Sequence, residues 1–172
     1  MGTIRRAELH ASADLFGINA EDIHIIDHPQ LQDGMSEVWP ISIASDIIVN
    51  HLERIDPELV VTFDDYGVSG HPNHIATGRS VSQAVALYAS SSSSSNLKCI
   101  KLESTNLLRK FTGPIDVLFS LLLSDLVVIN SNPCVAYKAM RAHRSQFLWY
   151  RYIFIVLSRY TYVNTYSVAI VS

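Results

Sequence analysis

The chain has 172 residues, 48% of them hydrophobic and 17% charged, with a net charge of −3. That length makes one domain with a sizeable core, and the acidic balance leaves no basic footprint for nucleic acid. A composition more apolar and less charged than that of an average soluble domain calls for a cover: a membrane, a partner or a further part of the same fold.

Along the chain, residues 1–9 are polar and charged and carry no secretory pattern. Ile4, Leu9, Ala13 and Phe16 recur at helical intervals, which predicts a helix over 4–16 stopped by Gly17. Residues 23–27 (IHIID) read as a short strand, 30–38 as a loop, and 41–54 as an amphipathic helix with Ile43, Ile47, Ile48 and Leu52 on one side. The run LVVTF at 59–63 is nearly all apolar, the pattern of a strand buried in a parallel sheet. A third helix follows over 72–88, and the serine run at 90–95 reads as a flexible loop. Two further strands are predicted at 97–102 and 125–130, then a helix over 132–146.

The last residues, 147–172, are apolar but broken by Arg151 and Arg159. They fall short of the span of about 20 apolar residues that crosses a bilayer. They read as a packed helix or strand, with interfacial membrane contact as the alternative. Arg141 and Arg144 join these two in the one place where basic residues gather. Cys99 and Cys134 form no spaced motif and read as two buried thiols in a reducing compartment. Alternating helices and strands predict an α/β fold, three layers deep, with a mainly parallel sheet. Ligands of such folds collect beyond the carboxyl ends of the strands.

The segment VTFDDYGVSGHPNHIA, residues 61–76, lies at such a strand end. Pro72 suits the first turn of a helix, which sets His71 near the N-cap and His74 one turn inside on the same side. Gly67 and Gly70 permit close backbone approach. Asp64 and Asp65 stand within reach of an imidazole N–H. Two histidines three apart are compatible with metal binding, with helix capping or with a plain surface position, because a catalytic zinc takes about three protein ligands and a water. His10, His24 and His51 have no partner at ligand spacing and read as surface or internally satisfied histidines. No serine sits in a G-x-S-x-G turn, and Gly67–Gly70 is too short for a phosphate loop.

The run TFDDYGVSGHPNHIA resembles the second signature of the LmbE/PIG-L-type zinc deacetylases. GTIRRAEL at 2–9 with Leu15-Phe16-Gly17, STNLLRK at 104–110 and HRSQFLW at 143–149 are similar to further segments of the same family, so the likeness covers nearly the whole chain. It implies a Rossmann-like α/β/α fold and hydrolysis of the N-acetyl group of N-acetylglucosaminyl-phosphatidylinositol in GPI-anchor synthesis. The implied setting is the cytoplasmic face of the endoplasmic reticulum membrane, with a glycolipid substrate and a membrane surface as partners. Residue by residue, it implies that His74 ligates zinc and that His71 lies beside the acyl group, stabilising the oxyanion or protonating the leaving amine. It sets Arg5 on the sugar side with Glu8 in support, makes Asp64 an orienting carboxylate, and brings His143 near the site.

One departure stands out. The family's first signature, an Ala-His-Pro-Asp-Asp-Glu-like run that supplies two zinc ligands and the general base, is not found in this sequence; His28-Pro29-Gln30 lacks its acidic pair. The resemblance therefore implies a single domain over 1–172 that is N-terminally incomplete, lacking the first strand-helix-strand unit. Weak zinc binding and slow hydrolysis follow as expectations. The alternative is a catalytically silent relative that binds a partner or lipid headgroup.

Overall fold

The computed structural model describes residues 2–91 and 97–169. Four strands, β1 (Leu59–Phe63), β2 (Lys98–Leu102), β3 (Leu126–Ile129) and β4 (Val163–Ala169), hydrogen-bond in the order β1-β2-β4-β3. The helices are α1 (Gly2–Asp14), α2 (Ile41–Ile55), the single turn α3 (Gly67–Gly70), α4 (Pro72–Ser91), α5 (Leu107–Lys110), α6 (Asp116–Leu123), α7 (Pro133–Ala142) and α8 (Trp149–Leu157). β1 and β2 are parallel, from Leu59↔Lys98 to Phe63↔Leu102, whereas β2 and β4 are antiparallel, from Cys99↔Ala169 to Leu102↔Tyr166. The α/β alternation holds, and the C-terminal segment, which enters the sheet in reverse, makes that sheet mixed.

The chain divides into two compact units. One contains residues 27–105, 124–126 and those from 165 onward. Its core is Leu52 of α2, Val81, Ala84, Val85 and Tyr88 of α4, and Leu97 and Cys99 at β2. Each such Leu or Val buried fully contributes about 1.5–3 kcal/mol. Two polar contacts fix how α2 and α4 pair. The Ser45 hydroxyl donates to the Ser80 carbonyl at 3.0 Å, and Tyr88 OH donates to Asp56 at 2.7 Å. Asp56, in the left-handed region at φ 43°, closes α2 by donating its N–H to the Leu52 carbonyl. Helix α4 also lies against the end of β1, where Gly78 permits the approach: a Cβ there would stand 2.6 Å from the Phe63 carbonyl oxygen.

The other unit contains residues 1–26, 106–123 and 127–164. A charged cluster sits inside it. Asp116 and Arg159 are both wholly buried and ion-paired, and Arg109 closes on the same carboxylate at 2.8 Å. The Ser120 hydroxyl donates to Asp116 and accepts from both arginines. One buried and one partly exposed cation on a buried anion hold α6 to the turn at 159–161.

Several expectations change. Residues 23–27 form no strand among the described residues, and Ile25 and Ile26 are exposed. β1 is not buried on both faces. It is an edge strand whose Thr62 is buried and Val60 half-buried, while Leu59 and Val61 are 49% and 54% exposed, because helices cover one side of it only. Ser90 and Ser91 end α4 instead of opening a loop, and Ser92–Ser95 lie outside the described residues. Cys99 is buried as expected; Cys134, at the start of α7, is exposed. The C-terminal segment is both helix and strand, α8 and β4.

Candidate active site

The histidine pair is assembled by the loop that joins β1 to α4. Asp64 starts it. One carboxylate oxygen accepts from the N–H groups of Tyr66 (3.1 Å) and Gly67 (2.8 Å) and from the Ser104 hydroxyl (2.6 Å), and the other accepts from Ser104 N–H (2.6 Å). Burial would by itself raise the Asp64 carboxyl, but the Ser104 hydroxyl and N–H, with the Gly67 and Tyr66 amides, outweigh it and hold the group below its ordinary 3.8. Asp64 therefore stitches the end of β1 to the residues after β2. The loop it anchors is strained: Val68, a β-branched residue, sits at φ 68° with its N–H on the Ser104 hydroxyl at 2.7 Å. Such a conformation costs about 1–3 kcal/mol and persists only where its surroundings enforce it.

His71 is extended, as the residue before a proline prefers, and its carbonyl accepts the N–H groups of His74 and Ile75 to open α4. Its Nδ1 accepts the Asn73 N–H at 3.2 Å. A backbone N–H can only donate, so the neutral His71 ring carries its proton on Nε2. His74 is the reverse. Its Nδ1 lies 3.1 Å from the Gly67 carbonyl oxygen, which can only accept, so Nδ1 holds the proton and the Nε2 lone pair is available. The His74 ring stacks on Phe63 at 4.5 Å, and the two imidazoles lie 5.2 Å apart, centre to centre. One ring can thus donate at Nε2 while its neighbour accepts or ligates there.

Two residues on which sequence reasoning placed no role complete this arrangement. Asn73 is buried; its side chain donates to the Gln32 carbonyl and accepts the Gly34 N–H, which ties the 30–38 loop to the start of α4. Ser104 holds Asp64 and Val68. Both sit inside motif segments, but only the fold reveals their partners. Asp64 reaches the histidines at one remove, through Gly67, and makes no hydrogen bond to either ring among those described.

The remaining sequence candidates gather in the other unit. Glu8 accepts from Ser145 N–H at 2.7 Å and from its hydroxyl at 2.6 Å. These bonds, aided by the charges of His143 and Arg5, hold the Glu8 carboxyl below its usual range. So Arg5, Glu8, His143 and Ser145 form one polar group, joining the start of the chain to the HRSQ segment.

The donor set decides what these residues can hold. His74 is oriented as a metal ligand is, with Nδ1–H anchored on a carbonyl. Among the described residues, however, no three His, Cys, Asp or Glu side chains converge as a metal site. One well-placed imidazole does not fit the three-ligand requirement of a catalytic zinc.

A family profile described as PIG-L, GlcNAc-PI de-N-acetylase, matches residues 1–85. A probable N-acetylglucosaminyl-phosphatidylinositol de-N-acetylase of Dictyostelium discoideum is 32% identical over 96% of this chain and 75% of its own length. The chain belongs to the PIG-L family. The Bos taurus N-acetylglucosaminyl-phosphatidylinositol de-N-acetylase is 36% identical over 95% of the chain, and a probable one of Schizosaccharomyces pombe 32% over 93%. The chain spans only 65% and 66% of those two relatives. A Pyrococcus horikoshii N,N'-diacetylchitobiose deacetylase shares the fold, with a TM-score of 0.63 at 18% identity over 97% of this chain and 63% of that one. The named relatives of this PIG-L chain are de-N-acetylases, and the scaffold it shares is a Rossmann-like α/β fold. Among the described residues, no helix is long and apolar enough to cross a membrane.

Proposed function

We propose that this protein acts in GPI-anchor biosynthesis, in hydrolysis of the N-acetyl group of N-acetylglucosaminyl-phosphatidylinositol, at the cytoplasmic face of the endoplasmic reticulum membrane. The observation that carries the reading is the opposed tautomers of His71 and His74. Amide hydrolysis needs a proton donor for the oxyanion or the leaving amine, and His71 Nε2–H is held ready to be that donor. It also needs an activated water; the His74 Nε2 lone pair would suit one ligand of a zinc site completed by further donors, which would supply a polarised carbonyl and an acidified water. Arg5 and His143, grouped through Glu8, are the residues we assign to the sugar side, with Asp64 positioning the loop.

The described residues supply one such ligand, so the 172-residue chain by itself should bind zinc weakly and hydrolyse slowly. The same observation favours a second reading, a silent family member that binds the glycolipid headgroup without cleaving it. Acetate release from N-acetylglucosaminyl-phosphatidylinositol, with the Bos taurus relative run alongside, separates the two. Slow, zinc-stimulated release that His71→Ala abolishes supports hydrolysis. Substrate binding with no release above background supports the silent reading. Tight one-to-one zinc binding by this chain would contradict the donor count.

A further inference from the structure

The surface formed by α7 and α8 carries a feature that the proposed reaction does not use. Lys138 and Arg141 of α7, with Arg144, Phe147 and Tyr152, line an open cleft of about 450 Å3. Among the described residues, no carboxylate pairs with any of the three cations. The cleft wall is aromatic: Phe147 meets the Tyr152 ring edge-on at 4.5 Å, Tyr137 lies 6.1 Å from Tyr152, and the Arg141 guanidinium stands 5.7 Å from the Tyr137 ring centre.

Beside this cleft runs α8, WYRYIFIVL, which has no acidic residue. Trp149, Tyr152, Ile153 and Val156 fall at helical spacing on one face and are all exposed, Trp149 at 73%. The opposite face is anchored, with Ile155 buried and Phe154 edge-on to Phe111 at 5.9 Å. Exposed apolar stripes of this kind mark interaction surfaces.

We propose that the α7–α8 surface docks on an anionic lipid bilayer, with the apolar stripe of α8 in the headgroup boundary and the Lys138–Arg141–Arg144 cleft receiving a lipid phosphate. Charge decides between a bilayer and a protein partner. Three cations with no carboxylate partner among the described residues gather here on a chain whose net charge is −3. Lysine and arginine beside an exposed, Trp-bearing apolar helix face are the pattern of helices that lie on anionic membranes. Trp149 and Tyr150 begin the helix where tryptophan and tyrosine favour the membrane–water boundary. At nine residues, α8 is far too short to span the membrane, so it lies on it. The inference stands on this surface alone and holds whichever reading of the histidine pair is right.

Two tryptophans occur in the chain, so Trp39→Phe leaves Trp149 as the sole reporter. The full chain is mixed with vesicles of phosphatidylcholine alone or with added phosphatidylinositol or phosphatidylserine. Expected are co-sedimentation with either anionic vesicle, a blue shift of Trp149 emission, and release as salt is raised. Lys138→Ala, Arg141→Ala and Arg144→Ala should each weaken binding about fivefold, from a contribution on the order of 1 kcal/mol per basic residue at the surface. Ile153→Ser should weaken it with an unchanged circular dichroism spectrum. Equal binding to neutral and anionic vesicles overturns the proposal, as does anionic binding that leaves Trp149 emission unmoved. A vesicle-indifferent dimer that Ile153→Ser converts to monomer also overturns it, by making a second copy the occupant.

Discussion

His71 and His74 differ by nothing in their chemistry, only in what the backbone offers each ring. The Asn73 N–H fixes one and the Gly67 carbonyl fixes the other. Imidazole 15N shifts should accordingly show protonation at Nε2 of His71 and at Nδ1 of His74 in the neutral state; identical tautomers would remove the basis for distinct roles. The Asp64–Ser104 contact controls the loop that presents Gly67. Ser104→Ala removes a charge-assisted hydrogen bond and the acceptor of the Val68 N–H, with an expected loss of about 1.5–3 kcal/mol. Its pH signature has a definite sign. Because the folded Asp64 carboxyl is held below 3.8, its contribution is complete above about pH 4 and is lost as pH falls through the lower folded value. In Ser104→Ala the folded value returns toward 3.8, so the acid-unfolding midpoint followed by circular dichroism should move to higher pH. The sequence made the histidines legible, because Pro72 and the glycines announce a strand-loop-helix junction. It hid Ser104, which lies 40 residues from Asp64 and meets it only when β1 and β2 pair.

At the scale of elements, close approach and buried charge set the tolerances. Gly78→Ala would press a methyl group to 2.6 Å from the Phe63 carbonyl and 3.0 Å from that of Asp64, both backbone atoms. The helix must then move off the strand, with an expected loss of about 1–3 kcal/mol in urea unfolding and a weaker His74 anchor. Gly2→Ala, with nothing within 4 Å, is the matched control and should stay within about 0.5 kcal/mol. In the other unit, Asp116→Asn would strand two guanidiniums against a neutral amide, with an expected loss of about 3–5 kcal/mol. Pairing Asp116→Leu with Arg159→Met should destabilise less than Asp116→Leu alone, as a double-mutant cycle would measure. Helices with a strong apolar stripe, such as α2, were readable to within a residue. The segment at 23–27 was not, since a strand is defined by a neighbour and sequence pattern reports only one side of that partnership. Nor did the apolar run of β1 show that one face would lie open.

For the molecule as a whole, the family and the α/β alternation were legible because motif and periodicity agree, while the direction of the last strand was not, since periodicity carries no polarity. That last strand has a consequence for how the protein is made. β4 is the final described element, yet β2 needs it as its second neighbour. During synthesis at about 5–20 residues per second, β1, α4 and β2 emerge together and can pair, while the far edge of β2 waits for β4, about 60 residues later in the chain. Through that interval it is an open strand edge, the kind that recruits other nascent chains. A chain stopped after Asn164 should make the interval permanent, and its soluble yield should fall sharply against that of the full chain. Translation order thus leaves that edge open until β4 arrives.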